Sequence, residues 1–152
     1  MGLRNAELAR PAVDTGSAKG YGRRVAHLLI VDDDNDIVQV LGELLRLDGH
    51  EVRTASTGEE GLAVLRAAPL PEVVVLDVDM PVLGGIGMAH KMLLHDAGEE
   101  HVPIILMSAR SDLSELAREM GTPYFVRKPA SIAVFRDRLV RALAERKAPT
   151  SA

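Results

Sequence analysis

The sequence predicts an α/β protein: a doubly wound, parallel, five-stranded sheet built from five consecutive βα units, (βα)5. Three observations lead there. Five short apolar runs occur in order, at His27–Val31, Glu51–Ala55, Val73–Leu76, Ile104–Met107 and Tyr124–Val126. The first, third and fourth are continuously apolar rather than alternating, as strands covered on both faces must be. Segments with apolar residues at helical spacing separate the runs, and right-handed crossovers then place helices on both sides of one parallel sheet.

Each helix has its own signal. Ile37, Val38, Val40, Leu41, Leu44 and Leu45 recur at helical spacing, and Asp48-Gly49 closes that segment. Ser56 and Thr57 precede Glu59 and Glu60, a capping box for a second helix carrying Leu62 and Leu65. Ile86, Ala89, Met92 and Leu93 mark a third. Leu113, Leu116, Ala117 and Met120 mark a short fourth, with Ser111 or Asp112 as its cap. Ser131 caps a fifth, with Ile132, Phe135, Leu139 and Leu143 inward, ending near Arg146.

The folded domain is expected over residues 26–146, with a flexible leader at 1–25 and a flexible tail at 147–152. Composition then excludes several function classes. Without cysteine there is no disulfide, Cys-ligated zinc, iron–sulfur cluster or thiol catalysis. Aromatic residues are 3%, too few for base-stacking platforms, and the net charge of −4 does not suit a chain that coats nucleic acid. No apolar run approaches the roughly 18 residues of a membrane span, and no secretory pattern opens the chain, so a cytoplasmic protein is expected.

In doubly wound sheets, ligands bind at the carboxyl ends of the strands. The first strand ends in Val31-Asp32-Asp33-Asp34, the third in Leu76-Asp77-Val78-Asp79, the fourth in Met107-Ser108-Ala109 and the fifth in Arg127-Lys128-Pro129. Parallel packing brings Asp32, Asp33, Asp77, Ser108 and Lys128 to one rim. Two carboxylates 4 Å apart repel by about 4 kcal/mol at an effective dielectric near 20, so clustered acids call for a cation, and hard oxygen ligands suit Mg²⁺. A lysine and a hydroxyl opposite the metal would clamp a phosphoryl group, a layout for phosphoryl transfer. Taken singly, each piece has a plainer explanation. Three Asp before a helix read as an N-cap with dipole-favoured acids. Asp77 alone reads as turn chemistry, Ser108 as a cap and Lys128 as a surface charge. The five histidines (27, 50, 90, 95 and 101) lack ligand spacing, and Met88 and Met92 read as core. Four strand ends each supplying the required group is a joint pattern that the separate explanations do not produce.

With these residues in place, the chain resembles the response regulator receiver domain of two-component signalling, from about Val25 to Glu145. The matching motifs are Leu29-Ile30-Val31-Asp32-Asp33, Val74-Val75-Leu76-Asp77-Val78-Asp79-Met80-Pro81, Leu106-Met107-Ser108-Ala109 and Phe125-Val126-Arg127-Lys128-Pro129. The resemblance implies a flavodoxin-like strand order, 2-1-3-4-5. It implies Asp77 as phosphoacceptor, Asp33 as a direct Mg²⁺ ligand, Asp32 as a ligand largely through water, and the Asp79 backbone carbonyl as a further ligand. Ser108 would hydrogen-bond the phosphoryl group, Lys128 would pair with it, and Phe125 stands at the aromatic switch position. Ser108 and Lys128 are expected to acquire partners only when phosphate arrives. The Lys128–Pro129 peptide is expected to be cis. Asp79 and Arg110 occupy positions that tune the phosphate's lifetime in relatives. Gly84 stands where the family usually has Asp, the stretch from Ser108 to Gly121 is about two residues short, Ala130 replaces a bulky residue, and Pro123 precedes the fifth strand.

The function implied is a signalling switch rather than an enzyme. A histidine kinase or histidine phosphotransfer protein donates to Asp77, and a downstream effector protein reads the result, with no nucleic-acid or membrane partner. The protein is expected to stand alone as a single domain, a monomer or a weak phosphorylation-dependent dimer. The contact surface expected is the fourth helix, fifth strand and fifth helix. Two other readings compete. Asp77-Val78-Asp79 also looks like the first motif of haloacid-dehalogenase-type phosphatases, although in that family the metal-binding acid pair comes late in the chain and here it comes first. The other is a pseudo-receiver, an interaction module that no longer takes phosphate.

Overall fold

The structure, a computed structural model, describes residues 25–79, 87–88, 91, 102–129 and 131–149. Five parallel strands form one sheet: β1 (His27–Val31), β2 (Glu51–Ala55), β3 (Val73–Asp77), β4 (Ile104–Ser108) and β5 (Tyr124–Arg127), in the order β2-β1-β3-β4-β5. Four helices lie among the described residues: α1 (Asn35–Leu47), α2 (Gly58–Arg66), α3 (Leu113–Glu119) and α4 (Ile132–Glu145). Gly87, Met88 and Lys91 are helical, but the other residues that carried the third-helix expectation, and Gly84 and Ala130, lie outside the described residues. So does the leader up to Arg24.

The three inner strands are buried on both faces, whereas the edge strand β2 is largely open, and the buried side chains divide by alternation. Leu29, Val31, Val74, Leu76, Ile104 and Leu106 face one layer, with Leu62 and Leu65 of α2, Leu113, Leu116 and Ala117 of α3, and Met88. Leu28, Ile30, Val73, Val75, Ile105, Met107, Tyr124 and Val126 face the other, with Leu41 and Leu45 of α1 and Phe135 and Leu139 of α4. This is the period of two expected of a strand, and β1, β3 and β4 are apolar at nearly every position because helices cover both sides.

The caps follow the sequence. Asp34 accepts from the N–H groups of Asp36 and Ile37 at the start of α1. Thr57 accepts from Glu60 N at 3.0 Å, and Glu60 reaches back to Ser56 N at 2.9 Å. Ser131 caps α4 through Val134 N at 3.2 Å. Asp48 closes α1, and Gly49 supplies the left-handed φ of 99° that the turn requires. Asp112 holds the N-cap position of α3, yet its side chain makes no cap bond. Beyond α4, the Lys147 N–H reaches the Tyr124 hydroxyl at 3.4 Å.

Candidate functional site

Register explains why the acids meet. Val31 pairs with Leu76, so the next residues, Asp32 and Asp77, lie side by side where β1 ends. Asp77 is still in the sheet, opposite Met107 on β4. Ser108 closes β4 opposite Arg127, and the following Lys128 N–H bonds the Ser108 carbonyl at 2.9 Å. Asp32, Asp33 and Asp77 each bring a carboxylate oxygen within 4.8 Å of the other two. Asp32 and Asp77 are buried and Asp33 is exposed.

The triple aspartate therefore splits its duties. Asp34 is the helix cap that the plainer explanation expects. Asp32 turns inward, accepting the Asp34 N–H at 2.9 Å and the Lys128 ammonium at 2.9 Å. Lys128 also lies 3.6 Å from Asp77 Oδ1, and its peptide bond to Pro129 is cis, as expected. Burial, then the neighbouring Asp32 charge, pushes the Asp77 carboxyl up to about 6, against the Asp79 N–H and Lys128, which favour its ionised form. Burial lowers Lys128, but the hydrogen bond and charge of Asp32, followed by Asp77, outweigh it and leave the ammonium above the ordinary lysine value. One ammonium thus bridges two of the three clustered carboxylates. That shortage of positive charge, and an all-oxygen donor set with one exposed member, fit a hard divalent cation such as Mg²⁺.

Ser108 and Lys128 already have partners, contrary to the expectation that phosphate supplies the first. Lys128 bridges Asp32 and Asp77. Ser108 Oγ donates to Asp79 Oδ2 at 2.5 Å and accepts the Arg110 N–H at 3.0 Å. Isolated carboxylates at a rim bind whatever donors the fold brings within reach, and sequence spacing does not show that reach. Arg110 is held by Asp112 through two bonds of 3.0 and 2.9 Å and lies 3.8 Å from Asp79 Oδ1. Sequence reading marked Asp79 and Arg110 only by position in relatives, and Asp112 only as a cap. Phe125 is half-buried against the layer that contains α3. Of the histidines among the described residues, His50 accepts the Ala26 N–H through Nδ1 and His27 lies 3.4 Å from Glu51, both far from the acids in the fold. Met88 is core.

Comparison with known proteins bears on the family and the fold. The family described as the response regulator receiver domain matches residues 28–140. The transcriptional regulatory protein PrrA of Mycobacterium tuberculosis is 37% identical over 128 residues, covering 82% of this chain and 52% of the relative. A probable transcriptional regulator, ycf27, of Cyanidium caldarium is 37% identical over 111 residues, covering 72% of this chain and 43% of the relative. The chain thus spans about half the length of the curated relatives it matches. Among solved structures, a putative response regulator from Chloroflexus aurantiacus aligns with a TM-score of 0.71 at 31% identity, over 80% of this chain and 99% of that one. The Vibrio cholerae chemotaxis protein CheY4 aligns with a TM-score of 0.69 at 27% identity, over 78% and 98%. No helix among the described residues is long and apolar enough to cross a membrane. With the matched span covering 113 residues from 28 to 140, the acid pocket at its rim and the strand order 2-1-3-4-5, the chain belongs to the response regulator receiver domain family of two-component signalling.

Proposed function

We propose that Asp77 accepts a phosphoryl group from a phosphohistidine on a kinase or phosphotransfer protein, and that the acyl phosphate switches binding to a partner protein. The observation that carries this reading is the convergence of Asp32, Asp33 and Lys128 on the buried Asp77 carboxylate. A carboxylate oxygen of Asp77 attacks phosphorus, the P–N bond breaks, and the departing imidazole keeps the electron pair. Asp32, Asp33 and Asp77, with the Asp79 backbone carbonyl, would hold Mg²⁺, which when bound neutralises phosphoryl oxygens. Lys128 stands beside both buried acids, where it orients the group by charge. Ser108 lies across from it on the neighbouring strand, in reach of a further phosphoryl oxygen.

The donor has a surface to approach. An open apolar groove between α1 and α4, lined by Ile37, Val40, Leu44, Val126 and Ile132, ends at Lys128 beside the acids. Val40 is 57% exposed there. The output face is α3, β5 and α4. β5 is an edge strand between the two helices, and Arg127 ties it to the loop before α3 through Ser111 O at 2.9 Å. Its edge is flanked by Pro123 and Pro129, which discourage strand addition and favour a helical or irregular partner.

The test is labelling with acetyl phosphate and Mg²⁺. Stoichiometric, acid-stable but base-labile phosphate is expected in the wild-type protein and none in Asp77→Asn with the fold intact. Undiminished label in Asp77→Asn overturns the assignment. Release of far more than one equivalent of product from p-nitrophenyl phosphate would instead mark a phosphatase.

A further inference from the structure

We propose that the Asp79 carboxylate is a resting-state latch on Ser108: it holds the only hydroxyl proton of the switch residue and must give it up before Ser108 can bind the phosphoryl group. This rests on Asp77 being the phosphoacceptor and concerns how that event is read. A serine hydroxyl has one proton to donate. In this structure Ser108 donates it to Asp79 Oδ2 at 2.5 Å, the short distance of a hydroxyl–carboxylate bond. Ser108 Oγ also accepts the Arg110 N–H at 3.0 Å, so the hydroxyl is held from two sides. Ser108 is fully buried, and water does not compete for it.

The latch is anchored outside the pocket. The Arg110 guanidinium is fixed on the Asp112 carboxylate by two bonds and faces Asp79 Oδ1 at 3.8 Å. Asp112 is the N-cap residue of α3, and its carboxylate serves Arg110 instead of the helix N–H groups. A chain Ser108–Asp79–Arg110–Asp112 therefore runs from the switch hydroxyl to the first residue of the output face. Asp79 also stands two residues beyond Asp77, and its N–H bonds Asp77 Oδ1 at 3.3 Å. A dianionic group on Asp77 repels the Asp79 carboxylate and offers Ser108 a stronger acceptor, so both effects break the same bond. The released carboxylate has Arg110 beside it to receive it. Two arrangements of the same groups, each satisfied, make a two-state element that charge at Asp77 biases.

Beryllofluoride, which mimics the phosphoryl group, tests this in the presence of Mg²⁺, with amide NMR shifts in β4, α3 and β5 as the readout. Four proteins form a cycle: wild type, Asp79→Ala, Ser108→Ala and the double variant. Removing the latch should lower the half-saturating beryllofluoride concentration about tenfold when Ser108 is present, in line with loss of one hydrogen bond to a charged group. Asp79→Asn keeps an acceptor without the charge and should fall between. In the Ser108→Ala background the effect of Asp79→Ala should shrink to less than about threefold, because the pair no longer couples. An equal gain in both backgrounds would show that Asp79 acts only by its charge near the anion, and overturns the latch. No gain in either background overturns it too. Absence of any saturable response in the wild-type protein, where Asp77→Asn behaves identically, would instead remove the phosphoacceptor reading beneath it.

Discussion

The two rims of the sheet solve opposite problems with the same kinds of residue. At the amino ends of the strands, buried polar groups are paired. Thr122 Oγ donates to Ile104 O at 2.7 Å and accepts the Tyr124 N–H at 3.2 Å. The Tyr124 hydroxyl donates to Glu145 at 2.8 Å, and the Ala26 and His27 N–H groups find His50 and Glu72. At the carboxyl ends, two buried carboxylates share one ammonium, and burial holds the Asp77 carboxyl up to about 6. One rim pairs its described polar groups within the chain; the other is left short of positive charge, which suits it to a cation. Stability and chemistry are thereby separated by the length of a five-residue strand, and substitutions at the two ends should have different signatures.

The largest expected effect is at the carboxyl rim. Asp33 is exposed, contributes one of the three clustered oxygens and makes no core contact. Asp33→Ala should reduce Mg²⁺-dependent labelling by about 100-fold, the upper end of what loss of even an outer-shell metal partner costs. Its melting temperature in chelator should stay near that of the wild type. Full labelling of Asp33→Ala in EDTA would break the distinction between the rims.

Next comes the amino rim, with the signature reversed. Thr122→Val keeps the shape but takes one donor from the Ile104 carbonyl and one acceptor from the Tyr124 N–H, in a site where Thr122 is 4% exposed. Two buried bonds are lost at roughly 1–1.5 kcal/mol each, so denaturant unfolding should show a loss of about 2–3 kcal/mol. The labelling rate of the folded fraction should be unchanged. A slowed labelling rate with normal stability would place Thr122 in the switch.

The third effect is one of pH. A carboxyl raised in the folded protein means that the folded state holds the proton more tightly than the unfolded chain does. Stability from this group is therefore greatest below the ordinary carboxylate range, falls as pH rises towards about 6, and is level above it. Other carboxyls titrate in the same window, and Asp112, held by its hydrogen bonds to Arg110, moves the opposite way. The measurement is consequently the difference between wild type and Asp77→Asn in chelator. The variant should gain on the order of 2 kcal/mol over the wild type between pH 4 and pH 7. A difference that shrinks with rising pH would show that Lys128 more than offsets burial.

Most of the fold was legible because it depends on local periodicity. The five strands were readable to within a residue, and β3, β4 and β5 each run one residue further than their apolar stretch. Asp77, Ser108 and Arg127 continue the backbone ladder although their side chains are polar, and hydrogen bonding in a sheet does not depend on apolarity. The acid pocket was legible because parallel topology brings strand ends together. What was not legible has one cause: contacts between side chains far apart in sequence leave no periodic trace. The Ser108–Asp79 bond spans 29 residues, and the Lys128–Asp32 pair spans 96. Asp112 shows the same limit locally, since its spacing marks a cap and only the presence of Arg110 diverts it.

The smallest expected effect tests how much the closed amino rim owes to a single partly exposed bond. Tyr124 is fully buried at the start of β5, while its hydroxyl reaches Glu145 at the end of α4, where water is available to the carboxylate. Burial, reinforced by the hydrogen bond to Glu145, holds the phenol above its ordinary pKa, so the hydroxyl stays a donor across the neutral range. In Tyr124→Phe the ring remains in the layer formed by Ile105, Phe135 and Leu139, and both Glu145 and the Lys147 N–H, which are exposed, return to water. The cost should therefore be only the net value of one short hydrogen bond and one long one, about 1 kcal/mol, seen as a melting temperature lower by a few degrees. The contrast with Thr122→Val decides the point. Both remove one hydroxyl from the same rim, but only Thr122 takes a bond from each of two buried backbone groups. Equal losses would mean that Glu145 is as dependent on its partner as the buried backbone groups are, and that the amino rim is closed to solvent as far as α4.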